Sequence, residues 1–275
     1  MIQLTDTETA AVLGRVRELA SAAPIFDMHV HASEIFAGSN EYGKEDPPGV
    51  YSVAGRAYNA PLTGRLTLDT GEPQRAVNAA AKARVSEMMF TRAYEHVGPS
   101  VLLDHMDICG IADALLLPVV GRAEEIDVQM ARLVQHSSAT QRLHIAYCVP
   151  GSVSVTEIDA HLRQAVGQYP LAAVKVHPNV SQIDLGSEAG RERLEAILHA
   201  CGALALPVVI HGGRSPMFHD EPAREFAVLD NLAHIDWSVS KSTVVISHFG
   251  SYGFDHDELP AERAKLQALL ELSLI

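Results

Sequence analysis

A His-x-His pair ends a short apolar run, Ile25-Phe26-Asp27-Met28-His29-Val30-His31. On a β-strand, residues two apart point to one face, so both imidazoles and Asp27 face the same way. Neutral imidazole is a common metal ligand, and two of them converging from one strand end read as a metal site. The alternative is a pair of ordinary polar residues at a strand end. Three later apolar runs also close on histidine: Leu171-Ala172-Ala173-Val174-Lys175-Val176-His177-Pro178, Leu206-Pro207-Val208-Val209-Ile210-His211-Gly212-Gly213, and Thr243-Val244-Val245-Ile246-Ser247-His248-Phe249-Gly250. A single such histidine is most simply a hydrogen-bonded structural residue. Four of them form a pattern, because the C-terminal strand ends of a parallel α/β barrel make its active face.

The elements that must position these residues follow from spacing. At 275 residues the chain suits one α/β barrel or two small domains. Thr5-Asp6-Thr7-Glu8 has a capping-box pattern, and Val12, Val16 and Leu19 give helical spacing, so a leading helix is expected over 5–22. The first strand is expected at about 24–31. Residues 33–73 carry strong breakers, Gly38-Ser39-Asn40 and Asp46-Pro47-Pro48-Gly49. Long loops are often binding loops, so this one reads as an active-site loop, with Arg56, Tyr58 and Arg65 as residues to test for substrate contact. A disordered surface excursion is the alternative.

Helices are then expected at about 74–97 and 99–108, before a strand at 111–120. Regular alternation follows: helix 123–139, strand 142–150, helix 154–167, strand 171–177, helix 188–203, strand 206–211, helix 221–235, strand 243–248, helix 260–272. All-apolar strands alternating with helices imply a parallel sheet covered on both sides or closed into a barrel. No Gly-x-Gly-x-x-Gly turn follows the first strand, which disfavours a nucleotide-binding doubly wound sheet.

A formal charge of -13 argues against nucleic acid and against anionic membrane surfaces, since both call for basic patches. Cys109, Cys148 and Cys201 are widely spaced and suggest no disulfide framework. The N-terminus shows no basic region followed by an apolar core, and no apolar run approaches the ~20 residues of a membrane helix. A cytoplasmic protein with a small-molecule substrate is the expectation.

The ordered series Asp27-Met28-His29-Val30-His31, Leu102-Leu103-Asp104-His105-Met106-Asp107-Ile108-Cys109-Gly110-Ile111, Leu115-Leu116-Leu117-Pro118, Val174-Lys175-Val176-His177-Pro178, Ile210-His211-Gly212-Gly213 and Ile246-Ser247-His248-Phe249-Gly250 resembles the amidohydrolase superfamily. The closer likeness is to its amidohydrolase-related branch of metal-dependent hydrolases and non-oxidative decarboxylases. The resemblance covers about residues 24–272 and implies a TIM-type (β/α) barrel within a single domain, 1–275. It implies that His29, His31 and His211 hold one divalent metal ion, with zinc favoured by imidazole ligands and manganese as the alternative. His248 would be the catalytic acid/base or would orient the substrate. Lys175 stands where some binuclear relatives carry a carboxylated lysine, although one metal is commoner in this branch. The family's metal-binding Asp at the end of strand 8 has no match. Only 27 residues follow His248, so strands 7 and 8 are expected to be lacking. A longer gene product, a homodimer or a partner chain would then complete the barrel.

Lys175 and His177 share a strand face, and Arg214 directly follows His211-Gly212-Gly213. These three are the candidate substrate-binding residues. Arg214 would meet a substrate carboxylate as a bidentate donor, or else form a surface salt bridge. If His248 titrates near the ordinary imidazole value of about 6.5, it can move protons at neutral pH. The expected function is therefore a metal-dependent hydrolase acting on a small amide, lactone or ester through a metal-bound water. The runner-up is a metal-dependent decarboxylase of a small carboxylic acid. An inactive or incomplete barrel serving as a binding subunit stays open, as does a metal-dependent phosphoesterase, which needs more carboxylate ligands. Without the strand-8 Asp, weak metal binding and slow turnover are expected of the chain alone. A Ser-His-Asp hydrolase is disfavoured because no Gly-x-Ser-x-Gly elbow occurs.

Overall fold

The computed structural model describes residues 10, 11, 14, 15, 18, 19, 21–31, 99–118, 123–215, 222–254 and 257–273. The expected active-site loop at 33–73, with Arg56, Tyr58 and Arg65, and the expected helix at 74–97 lie outside the described residues. In the leading segment, residues 10, 11, 14, 15, 18, 19, 21 and 22 are helical, while the capping box expected at residues 5–8 lies outside the described residues. Six described strands alternate with helices, which makes this an α/β fold. Among the described residues no helix is long and apolar enough to cross a membrane. The chain forms two compact units, one running to Leu115 and including 138–143, the other made of 116–137 and 144–275.

The first unit holds β1 (Ile25–Val30), α1 (Pro99–Cys109) and β2 (Ile111–Leu116) up to its last residue. Gly110 ends α1 with φ +67, a left-handed position that glycine takes without a Cβ clash, and β2 starts at the next residue. Arg142 pins this corner. Its Nε donates to the Ala112 carbonyl at 2.8 Å and its Nη2 to the Ile111 carbonyl at 2.7 Å. Its Nη1 meets the Asp107 carboxylate at 2.6 Å, and its own carbonyl accepts from the Ala114 N–H at 2.9 Å. Asp107 is well exposed, so the ion pair adds little, and the two carbonyl bonds carry the effect. Arg142→Met is expected to lower stability by about 2 kcal/mol, read from a denaturant midpoint, whereas Asp107→Asn should change it by less than about 1 kcal/mol. Equal losses in both variants would contradict this division.

The second unit is built on a parallel sheet. β3 (Leu143–Tyr147) pairs with β4 (Leu171–Val176), with a register shift between Ile145 and Ala146. β4 pairs with β5 (Val208–Ile210), setting Lys175 against Val209, and β5 pairs with β6 (Val244–Ile246), setting Val209 against Val245. The order β3-β4-β5-β6 follows the chain, as in consecutive units of a TIM-type barrel. Val174, Lys175, Val176 and all of β5 are buried on both faces, which explains why these strands read as apolar runs with Lys175 as the exception. α2 (Ala123–Ser138) buries Ile126, Met130 and Leu133, a helical i, i+4, i+7 stripe. α3 (Ile158–Gln168) buries Ile158, Leu162 and Ala165 in the same way. α4 (Glu188–Ala203) starts at the Ser187 side chain, whose oxygen accepts from the Gly190 N–H at 3.1 Å. α5 (Leu229–Leu232) and α6 (Leu259–Ser273) close the described chain.

One expected element is corrected. The helix expected over 221–235 is instead a 3-10 turn at Pro222–Glu225, a bridge at Ala227 and the single turn of α5. Distant partners take the backbone groups that a continuous helix needs. The Asn179 side-chain amide donates to the Ala223 and Arg224 carbonyls at 2.7 and 2.9 Å. The Ala227 carbonyl accepts from the Gly213 N–H at 2.7 Å.

Candidate functional site

In the first unit, the end of β1 and the residue that follows it bring His29 and His31 together. Their Nε2 atoms stand 3.0 Å apart, with the rings edge to face at 80°. Two nitrogens at that separation, each about 2.05 Å from a common point, subtend roughly 95°, which lies within the range a divalent ion accepts. The donor pair therefore fits a metal. Asp27, on the same strand, turns its carboxylate to the His29 backbone N–H at 3.0 Å, which fixes the end of β1. Among the described residues no group of three or more His, Cys, Asp or Glu side chains is arranged around a metal position.

In the second unit, the histidines that close β4, β5 and β6 come together. The His211 N–H donates to the Val176 carbonyl at 2.9 Å, which extends the ladder past β5 and sets His211 beside His177. Their rings stack at 4.0 Å and 10°. His248 meets the His211 ring edge-on at 5.1 Å. Tyr252 completes the group, 5.4 Å from the His211 ring and 4.7 Å from that of His248. His177 and His211 are buried.

The loops after β5 and β6 hold this group by backbone bonds. The Arg214 N–H donates to the Tyr252 carbonyl at 2.7 Å, and the Tyr252 N–H to the Gly212 carbonyl at 3.4 Å. Gly213, at φ +109, lies against the Tyr252 backbone, where no Cβ would fit. His248 and Phe249 both take left-handed φ values, +58 and +53. Such positions cost non-glycine residues about 1–2 kcal/mol each and persist where surrounding structure imposes them. Here the bonds to Tyr252 impose the turn that lays His248 against His211.

Electrostatics divides the roles. Contact with its neighbours desolvates the His248 imidazole and lowers it from 6.5 to about 4, with the Lys175 charge adding to the effect, while the residue keeps an exposed side. His248 is therefore neutral at pH 7, an acceptor of protons rather than a cation. Burial raises the Tyr252 hydroxyl, which keeps its proton and can donate a hydrogen bond. The Val180 N–H points to His177 Nδ1 at 3.5 Å, which favours the tautomer protonated on Nε2. Lys175 is fully buried on β4, and its amine has no hydrogen-bond partner among the described residues. Burial brings that amine from 10.5 down to about 7, with Cys148 opposing the shift.

Arg214 sits in an ion-pair cluster. Its Nε faces Glu225 at 2.9 Å, its Nη1 faces both oxygens of Glu258 at 2.9 and 3.0 Å, and its guanidinium lies 4.0 Å above the Phe254 ring. Of the two readings of Arg214, the salt bridge is the one this geometry matches. Tyr252 escaped the sequence reading. Its signal was the run Gly250-Ser251-Tyr252-Gly253, in which both glycines adopt positive φ and allow the close strap.

The chain matches no protein-family model and no curated protein. The likeness to amidohydrolases rests on the residues quoted above.

Proposed function

We propose that this protein is a metal-dependent hydrolase of the amidohydrolase-related type, acting on a small-molecule amide, lactone or ester. The observation that carries the reading is the convergence of strand-terminal imidazoles. His29 and His31 converge in one unit, and His177, His211 and His248 converge in the other. His29 and His31 would hold a divalent ion, zinc first and manganese second. Such an ion, when bound, lowers the pKa of water and polarises a carbonyl.

The protein's own groups account for the rest of the chemistry. Neutral His248 accepts a proton, and the Tyr252 hydroxyl offers one hydrogen bond to a developing negative oxygen. His177, stacked on His211, holds that ring in plane. Glu225 and Glu258 already engage Arg214, so a decarboxylase would hold its substrate carboxylate on another cation, such as the metal.

Zinc titration of the purified chain is expected to show weak binding that approaches about one ion per chain at excess zinc. His29→Ala with His31→Ala should abolish it. Hydrolysis of an aryl-ester and lactone panel should follow metal content. Full retention of metal in the double variant, or no metal in the parent chain, would overturn the reading.

A further inference from the structure

We propose that Lys175 is a carbonyl-reactive amine, the core of a site for a small uncharged aldehyde or ketone that is captured as an imine. The placement carries the argument. Lys175 lies on β4 in register with Val209, flanked by Val174 and Val176, two residues before His177 on the same strand face. The side chain is fully buried, and its amine meets no hydrogen-bond partner among the described residues. Buried polar groups in native proteins are nearly always satisfied, and an exception calls for a reason. An amine waiting for a covalent partner supplies one.

Proton carriers stand close by. The His248 imidazole is within electrostatic reach of Lys175 and touches both His211 and Tyr252. Cys148 lies near enough to act on the amine as well. Burial also leaves a large share of the amine neutral, hence nucleophilic, at neutral pH. The nitrogen lone pair attacks the carbonyl carbon and forms an N–C bond, while the carbonyl oxygen takes a proton. The resulting carbinolamine loses that oxygen as water, the nitrogen gives up its proton to an imidazole, and an imine is left. Amine plus carbonyl gives imine plus water, and no other reactant is consumed.

Two features limit the substrate. Apolar Val209 is in register with Lys175 on the neighbouring strand, and Arg214 is held by two glutamates, so that cation is closed to a substrate carboxylate. The amine is fully buried, so a small molecule entering by local opening is favoured.

The test is reductive trapping with propanal and cyanoborohydride at pH 7, in chelator, followed by peptide mapping. An adduct on Lys175 at least about tenfold above those on Lys241 and Lys265 is expected. It should vanish in Lys175→Arg, and its selectivity should vanish when the chain is unfolded first. Labelling of surface lysines with Lys175 unmodified would overturn the proposal. Because the chelator removes metal, failure here and failure of the hydrolase reading are separate results.

Discussion

Lys175→Met is expected to make the protein more stable, by the widest margin at acidic pH. Burial holds the amine at about 7 in the folded chain, against 10.5 when it is solvated. Below pH 7 both states carry the proton, and folding must bury a cation, so the penalty is complete. Between pH 7 and 10.5 the folded amine has shed its proton while the unfolded one still binds it. Stability of the parent chain therefore rises with pH across that window. Above 10.5 both states are neutral, and only the cost of an unsatisfied buried amine is left.

Methionine is of similar length and carries no charge, so its variant lacks this slope. The stability difference between variant and parent should be on the order of 4–5 kcal/mol at pH 6 and should shrink by roughly 2–3 kcal/mol by pH 9. Taking the difference cancels the titration of other groups. Paired urea melts at the two pH values measure it. Parallel pH profiles would mean that the amine finds an anion or water in solution, and the account of Lys175 as an orphaned amine would fail.

The same lysine shows what a sequence gives away. Val174-Lys175-Val176 inside an apolar run is a buried lysine in plain view, because a strand covered on both faces has no solvent side. The strands and most helices were legible for the same local reasons. The helix expected at 188–203 is found at Glu188–Ala203, where Ser187 caps its start. The strand expected at 171–177 is found at Leu171–Val176. Elements set by distant partners were not legible. The expected 221–235 helix breaks on bonds from Asn179 and Gly213, residues that no local window contains.

The site divides along the same line. Histidines at strand ends could be read, because strand period and chain order place them. Their ring contacts could not, because the turn at His248 and the approach of Tyr252 are set by backbone bonds between two loops. Arg214 is the sharpest case. Its neighbours in sequence suggested substrate, while Glu258, 44 residues on, takes its Nη1.

Gly213→Ala should be strongly damaging to the second unit. An added Cβ would lie 2.4 Å from the Tyr252 nitrogen and 2.6 Å from its carbonyl oxygen. Both are backbone atoms, so no rotamer change relieves the contact. The φ of +109 adds strain for any L side chain. Overpacking and backbone strain together are expected to cost about 2–4 kcal/mol. Gly167, in α3, has nothing within 4 Å of its Cβ position, and Gly167→Ala should instead stabilise by about 0.5–1 kcal/mol.

The opposite signs separate a packing effect from a general intolerance of alanine. A chain that relaxes around the methyl group added at position 213 must part the strap between the Arg214 N–H and the Tyr252 carbonyl, and Tyr252 then leaves the His211 and His248 rings. Tyr252 fluorescence and imidazole chemical shifts should therefore move in the Gly213→Ala variant and stay fixed in the Gly167→Ala variant. Unchanged imidazole shifts in a destabilised Gly213→Ala protein would mean that the strap stabilises the unit without positioning its histidines.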